Sequence, residues 1–267
     1  MLQGFVWILP ALSLDTASLR PLIMIIYLQL DAFQKDVYVV TLLSSDIRES
    51  KTELKLLLLE KSLVTDSLYA PYVDEKYRDF TSRLSTSDTL PRIGIRVPIL
   101  RKLAKEIDWR DYEIKWHEDV MLIGLAIGGS KLSPEEKVEE LKGLLPYLSA
   151  WDQTDIILTV FKIKKKNKDV YTQFFSSLLE DERTFSKRLG IVWLMSNRKE
   201  LDRDKTLEMI INADNENEYY ISIAVAWAFS FFYADDPSIK SYLGKLSPKT
   251  RKLAERKIRE SRRCEPL

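Results

Sequence analysis

"LGIVWL", residues 189–194, is an apolar run whose counterparts recur at a fixed interval. "DIILTV" (155–160) begins 34 residues before it and "IAVAWA" (223–228) begins 34 residues after it, with "MLIGLA" (121–126) one further step back. Trp193 and Trp227 fall in the same register. A helix pair that cannot cover its own apolar face must bury it on the next pair, so a period of this kind reads as stacked repeats.

The segments between these runs follow helical grammar. "KTELKLLLLEKSL" (51–63) and "VEELKGLLPYL" (138–148) carry apolar stripes at a 3.6-residue period with charged opposite faces. "KLSPEEKVEELKGLL" (131–145) offers Ser133 as N-cap, Pro134 at the first helical position and Glu136 two further on, a capping-box start. Pro98 in "GIRVPILRKLAKEI" suits a first helical turn, with Gly94 in the loop before it. No period-2 strand interrupts this stretch. The period equals that of tetratricopeptide repeats, but their W-x2-L-G-x2-Y signature is missing. The expected fold is all-α: a HEAT-like α-solenoid of stacked antiparallel helix pairs with a concave groove. Residues 51–267 are expected to form a single domain, and residues 1–50 an apolar N-terminal extension. That extension lacks a basic leader, and Pro10, Asp15, Arg20 and Pro21 break its apolar run. A functional chain starting later, with Met24 as one candidate, is the plainer reading of it.

Composition narrows the chemistry. The formal net charge is +1, so a surface for a polyanion requires local segregation of charge. One cysteine, Cys264, excludes a disulfide framework and fits a reducing, cytoplasmic setting. One histidine, His117, leaves no His/Cys set for zinc and reads as structural. Neither G-x-x-x-x-G-K-[ST] nor G-x-G-x-x-G occurs. Basic residues cluster twice, at Lys162, Lys164, Lys165, Lys166 and Lys168, and along Lys249 to Arg263. Both fit either a phosphate backbone or plain solvated surface. Arg96 and Arg101 are weaker candidates of the same kind.

"SAWDQTDII" (149–157) places Trp151 four residues before Asp155, on one helix face. Spacing alone leaves two readings open: a core tryptophan with a solvated aspartate, or a site. Asp152 points about 100° away and suits the helix N-terminus.

Five segments in order resemble the DNA alkylation repair glycosylases of the AlkD type, from about Tyr69 to Arg263. They are "KYRDFTSRL" with "IGIRVPILRKLAKEI", "LLPYLSAWDQTDII", "TFSKRLGIVWLM", "EYYISIAVAWAFSFF" and the basic "RKLAERKIRESRR". The resemblance implies hydrolysis of the N-glycosidic bond of cationic alkylated purines, such as 3-alkyladenine and 7-alkylguanine, in double-stranded DNA. It implies no base-flipping pocket, no cofactor, no metal, no membrane and a monomer. Carried over by position, Asp155 is the catalytic carboxylate, while Trp151 and Trp227 are aromatic walls against the lesion nucleotide. Arg188 holds the backbone beside it. Lys187, Lys164, Lys165, Lys166, Arg251, Lys252 and Arg256 are the DNA-binding candidates. Each has a plainer alternative: core for the tryptophans, and an ion pair with Asp155 for Arg188, which would also keep that carboxyl ionised. Ser230 stands where some members carry an arginine. A non-catalytic DNA-binding solenoid and a protein-interaction scaffold are the competing functions.

Overall fold

The computed structural model describes residues 68–84 and 89–264, together with the backbone of two strands nearer the N-terminus. The chain divides into two compact units, Met1–Val73 with Arg110–Lys115, and Asp74–Trp109 with Trp116–Leu267. In the first, β1 (Ile23–Leu28) pairs antiparallel with β2 (Val37–Leu42), Ile23 opposite Leu42 and Leu28 opposite Val37. The sequence reading assigned no element to this extension, so the strand pair is an addition to it. The helix expected over 51–63, and the domain start expected at 51, lie outside the described residues.

The second unit is a HEAT-like α-solenoid, helical wherever it is regular among the described residues. Its helices are α1 (Glu75–Ser82), α2 (Val97–Leu103), α3 (His117–Gly129), α4 (Pro134–Leu144) and α5 (Trp151–Ile157). There follow α6 (Lys168–Ser177), α7 (Thr184–Ser196), α8 (Arg203–Asn212), α9 (Tyr219–Asp235) and α10 (Pro248–Glu260). Several begin as the sequence indicates. Ser133 Oγ accepts the Glu136 N–H at 3.2 Å, and Glu136 Oε2 accepts the Ser133 N–H at 2.7 Å. Pro98 lies in the first turn of α2, and Gly94 before it takes φ +95°. A Cβ there would stand 2.5 Å from Asp74 O, so both conformation and space demand glycine.

Helices α3, α5, α7, α9 and α10 pack in succession as one row. The intervening helices form a second row, with α4 against α3 and α6, α6 against α7, and α8 against α7 and α9. Burial follows this layout: α3 and α9 are apolar almost all round and are covered on most sides, as inner helices must be. Hydrogen bonds then repeat at one-period spacing. Trp193 Nε1 donates to Phe161 O at 2.6 Å, the Ile163 N–H to Asn197 Oδ1 at 3.0 Å, and the Ser247 N–H to Asp214 Oδ2 at 2.9 Å. The stacking of repeats is therefore fixed by directional bonds as well as by area. Trp193 is fully buried and stacks on Phe175 with centroids 4.5 Å apart. Close approach of α3 to α5 requires Gly124, where a Cβ would meet Ile157 Cγ1 at 2.5 Å. No helix among the described residues is long and apolar enough to cross a membrane.

Candidate active site

The site is built on the start of α5, and that start is unusual. The N-cap residue, Ala150, has no side-chain oxygen to offer. Gln153 acts instead: its Oε1 accepts the Ser149 and Ala150 N–H groups at 2.8 and 3.2 Å. With its oxygen so engaged, the Gln153 amide nitrogen faces His117, 3.2 Å from Nδ1 and 3.3 Å from the backbone O. Nδ1 thus accepts, which assigns the ring proton to Nε2. Nε2 donates to Asp152 Oδ2 at 3.1 Å. Arg92 forks onto the same carboxylate at 2.8 and 3.2 Å. His117 and Gln153 are completely buried and Arg92 nearly so. Burial pushes the Asp152 carboxyl up, but the hydrogen bonds from His117 and Arg92 and the Arg92 charge outweigh it and hold it well below the usual carboxylate range. Asp152 and His117, which the sequence reads as structural, are drawn into one buried cluster. The mechanism is a buried ion pair that pins α5 to α3 and to the loop before α2.

One turn on, Asp155 meets Arg188 of α7. Arg188 Nη2 donates to Asp155 Oδ1 and Oδ2 at 3.1 and 3.0 Å, and Thr154 Oγ1 donates to Oδ1 at 3.0 Å. Arg188 Nη1 donates to Tyr220 O at 3.2 Å, while its buried Nε finds no acceptor. The arginine side chain is only 5% exposed, so its guanidinium is committed to the carboxylate and to α9. The ion-pair alternative for Arg188 is the arrangement present. The expected effect on Asp155 is only partial: burial raises its pKa, and the opposing Arg188 charge and the hydrogen bonds do not cancel the rise, to which Asp152 adds.

Trp151, Asp155, Arg188 and Trp227 come together. They line one open cavity of about 360 Å³ on the surface of the inner row, with Tyr219 and Tyr220 of α9 and Lys257 of α10. Both tryptophans are half-buried, neither core nor free, and Trp227 lies edge-on to Phe231 at 5.8 Å. A second cavity, of about 190 Å³, shares the Trp151–Asp155 wall and extends beneath α1. Ser230, in place of an arginine, is buried and donates back to Trp227 O at 2.7 Å.

The remaining candidates are elsewhere. Lys187 faces the turn at Asp181, whose carboxyl is held down chiefly by the hydrogen bond from Arg183, with Lys187 adding its charge. Lys164, Lys165 and Lys166 are exposed in the loop after α5, braced by Asn167, whose Oδ1 accepts the Lys164 N–H at 2.6 Å. None of these lines the Asp155 cavity. On α10, Arg251, Lys252 and Arg256 are exposed, yet the cavity-lining cation is Lys257. Six residues at 100° each place Arg251 about 120° round the helix from it. The buried stripe Thr250, Ala254 and Ile258 fixes how α10 sits, and that stripe was the signal for choosing among its cations. Tyr219 was likewise readable, at i, i+4 and i+8 with Ile223 and Trp227.

No match emerges from a search of curated proteins. The family model described as "DNA alkylation repair enzyme" matches residues 70–263, nearly the whole of the helical unit and all the residues that meet at the cavity. The chain belongs to the DNA alkylation repair enzyme family.

Proposed function

We propose that this protein is a monofunctional DNA glycosylase that hydrolyses the N-glycosidic bond of cationic alkylated purines in duplex DNA. Membership of the family gives a role in DNA alkylation repair and DNA as the partner. The observation that carries the finer reading is the convergence of Trp151, Asp155, Arg188 and Trp227, from three successive helices, on one open cavity. As the C1′–N bond breaks, positive charge develops on the deoxyribose while the base leaves with the bonding electrons. A fixed carboxylate beside that carbon stabilises the charge and orients the water that adds to it. The cationic base is already a good leaving group and needs no protonation. Asp155 supplies the carboxylate. Arg188 holds it in place at the cost of its own freedom to bind phosphate. Half-buried Trp151 and Trp227 offer π faces to an electron-poor sugar or base. Lys257, with the exposed lysines 164–166, supplies charge for the DNA backbone.

The test is release of 7-methylguanine from duplex DNA. Wild type is expected to release the base and leave an unnicked abasic strand, and Asp155→Asn is expected not to. Equal release by both would overturn the assignment. Lesion-dependent DNA binding without release would favour a non-catalytic binder, a reading that the committed Asp155–Arg188 pair also accommodates.

A further inference from the structure

Between Ile221 and Tyr233 only three residues of α9 reach the surface, Ile223, Trp227 and Phe231, each four residues from the next. Ile223 and Trp227 line the Asp155 cavity. Phe231 continues the same face one turn, about 6 Å, further along the helix. Two guanidiniums lie over its ring, Arg198 at 5.0 Å and Arg263 at 5.4 Å from the centroid. They differ in what they have left to give. Arg198 is buried and committed: its Nε donates to Asp235 Oδ2 at 2.6 Å and its Nη1 to Met195 O at 3.1 Å. The Arg263 side chain is 59% exposed and approaches Asp235 only to 4.0 Å. Its guanidinium makes no hydrogen bond among the described residues. Asp235 already answers Arg198, so two guanidiniums and one carboxylate leave one positive charge uncompensated. The backbone fixes where that charge stands. Residues 261–264 turn back from the end of α10, with the Arg263 N–H on Ser261 Oγ at 3.2 Å and the Cys264 N–H on Ser261 O at 3.4 Å. Cys264 Sγ then donates to Ser230 O at 3.4 Å and ties the turn to α9 beside Phe231.

We infer that Arg263 holds a phosphate of the DNA backbone beside the reacting nucleotide, a task for which Arg188 is not free. Family membership gives the partner, and the place of the lesion rests on the Asp155 reading. A planar guanidinium fork matches two phosphate oxygens, and Arg263 is the arginine on this face with its donors unspent. Gripping an anion costs a long side chain its rotamer freedom. Stacking on Phe231 and the tie through Cys264 remove part of that cost before DNA arrives. One turn of α9 spans about two nucleotide steps of about 3.4 Å along one strand. The phosphate held by Arg263 therefore lies within about two steps of the lesion. Lys257 borders the cavity itself, so the strand meets one cation at the reacting nucleotide and a second one turn further on.

The probe is a duplex with one tetrahydrofuran abasic analogue, which sets the register and has no base to release. A single methylphosphonate removes the charge of one phosphate at a time. Binding to the full chain is read by fluorescence anisotropy. Wild type is expected to lose about tenfold in affinity at one phosphate within about two steps of the analogue. Arg263→Gln is expected to bind the unmodified duplex about tenfold more weakly and to be indifferent to the methylphosphonate at that same position. Arg263→Lys, which keeps the charge without the fork, should recover part of the loss. Arg262→Gln removes the neighbouring charge and should leave the coupling at that position intact. The proposal is overturned if no phosphate within two steps is coupled to Arg263, or if Arg262→Gln abolishes the coupling equally. The measurement needs no base release, so the two readings fail separately. Coupling without release would leave Arg263 standing and sink the glycosylase, and release without coupling would sink Arg263 alone.

Discussion

Asp152 and Asp155 sit three residues apart on α5, and their surroundings drive their pKa values in opposite directions. Asp152 is depressed by His117 and Arg92. Its stabilising contribution is therefore full above its unfolded value, near about 3.9, and fades as pH falls through the lower folded value. Asp155 is raised by burial, so its contribution has the reverse sign: present in acid and lost as pH rises through the folded value. Asp155→Asn removes a carboxyl that burial disfavours but leaves Arg188 buried without its counter-charge, so at neutral pH it should cost less stability than Asp152→Asn while base release falls at least about a hundredfold. Asp152→Asn should lower stability by about 3 kcal/mol, because Arg92 then stays buried without its counter-charge and the paired, depressed carboxylate is lost as well. Denaturant titration of both variants beside wild type checks the contrast, and a larger loss of stability in Asp155→Asn than in Asp152→Asn would count against it. The pH profile of base release follows the same logic. Its acid limb should lie above the ordinary aspartate range, and Arg188→Gln, which removes the groups pulling Asp155 down, should move that limb to higher pH.

Helix starts were legible where the signal is local. Ser133, Pro134 and Glu136 act within one turn, so their types and spacing suffice. The start of α5 was not legible in that way, because its capping oxygen comes from Gln153 and is aimed by His117, 36 residues away in sequence. Glycine in "MLIGLAIGG" shows the same limit. In isolation Gly124 lowers helix propensity by about 1 kcal/mol relative to alanine. In the fold it is the point where α5 approaches α3, against fully buried Ile157. Gly124→Ala should thus destabilise by about 1–2 kcal/mol net, overpacking outweighing the propensity gain. It should also reduce base release, since α5 carries both Trp151 and Asp155. Equilibrium unfolding and single-turnover release on the same preparation test both parts. A stabilised variant would mean that the α3–α5 contact is looser than these distances indicate.

Across the whole helical unit, the resemblance to the AlkD-type glycosylases is what grouped Trp151, Asp155, Arg188 and Trp227 in the sequence, and the repeat period, which sets α5, α7 and α9 side by side, is compatible with that grouping. Which cations face the DNA was less legible, since charge runs mark a surface without saying which way it turns. The structure separates Lys257, on the cavity wall, from Arg251 on the same helix and from the lysines 164–166 after α5. Both carry exposed ion pairs on α10, Arg251 with Glu255 at 4.0 Å and Lys257 with Glu260 at 3.3 Å, so position on the helix and not pairing distinguishes them. Each phosphate contact adds about 0.9 to the slope of log affinity against log salt. Lys257→Ala should lower that slope by about 0.9 and slow base release, because its ammonium borders the reacting cavity. Arg251→Ala should change neither. If the duplex reaches the exposed Lys164, Lys165 and Lys166 as proposed, replacing them together should lower the slope by up to about 2.7 yet leave release at saturating enzyme unaltered, because none of them lines the Asp155 cavity. Fluorescence anisotropy on a lesion-bearing duplex over a salt series, paired with single-turnover release, reads both quantities. A slope change for Arg251→Ala equal to that for Lys257→Ala would mean that DNA wraps the outer side of α10, and the track across the inner row would have to be redrawn.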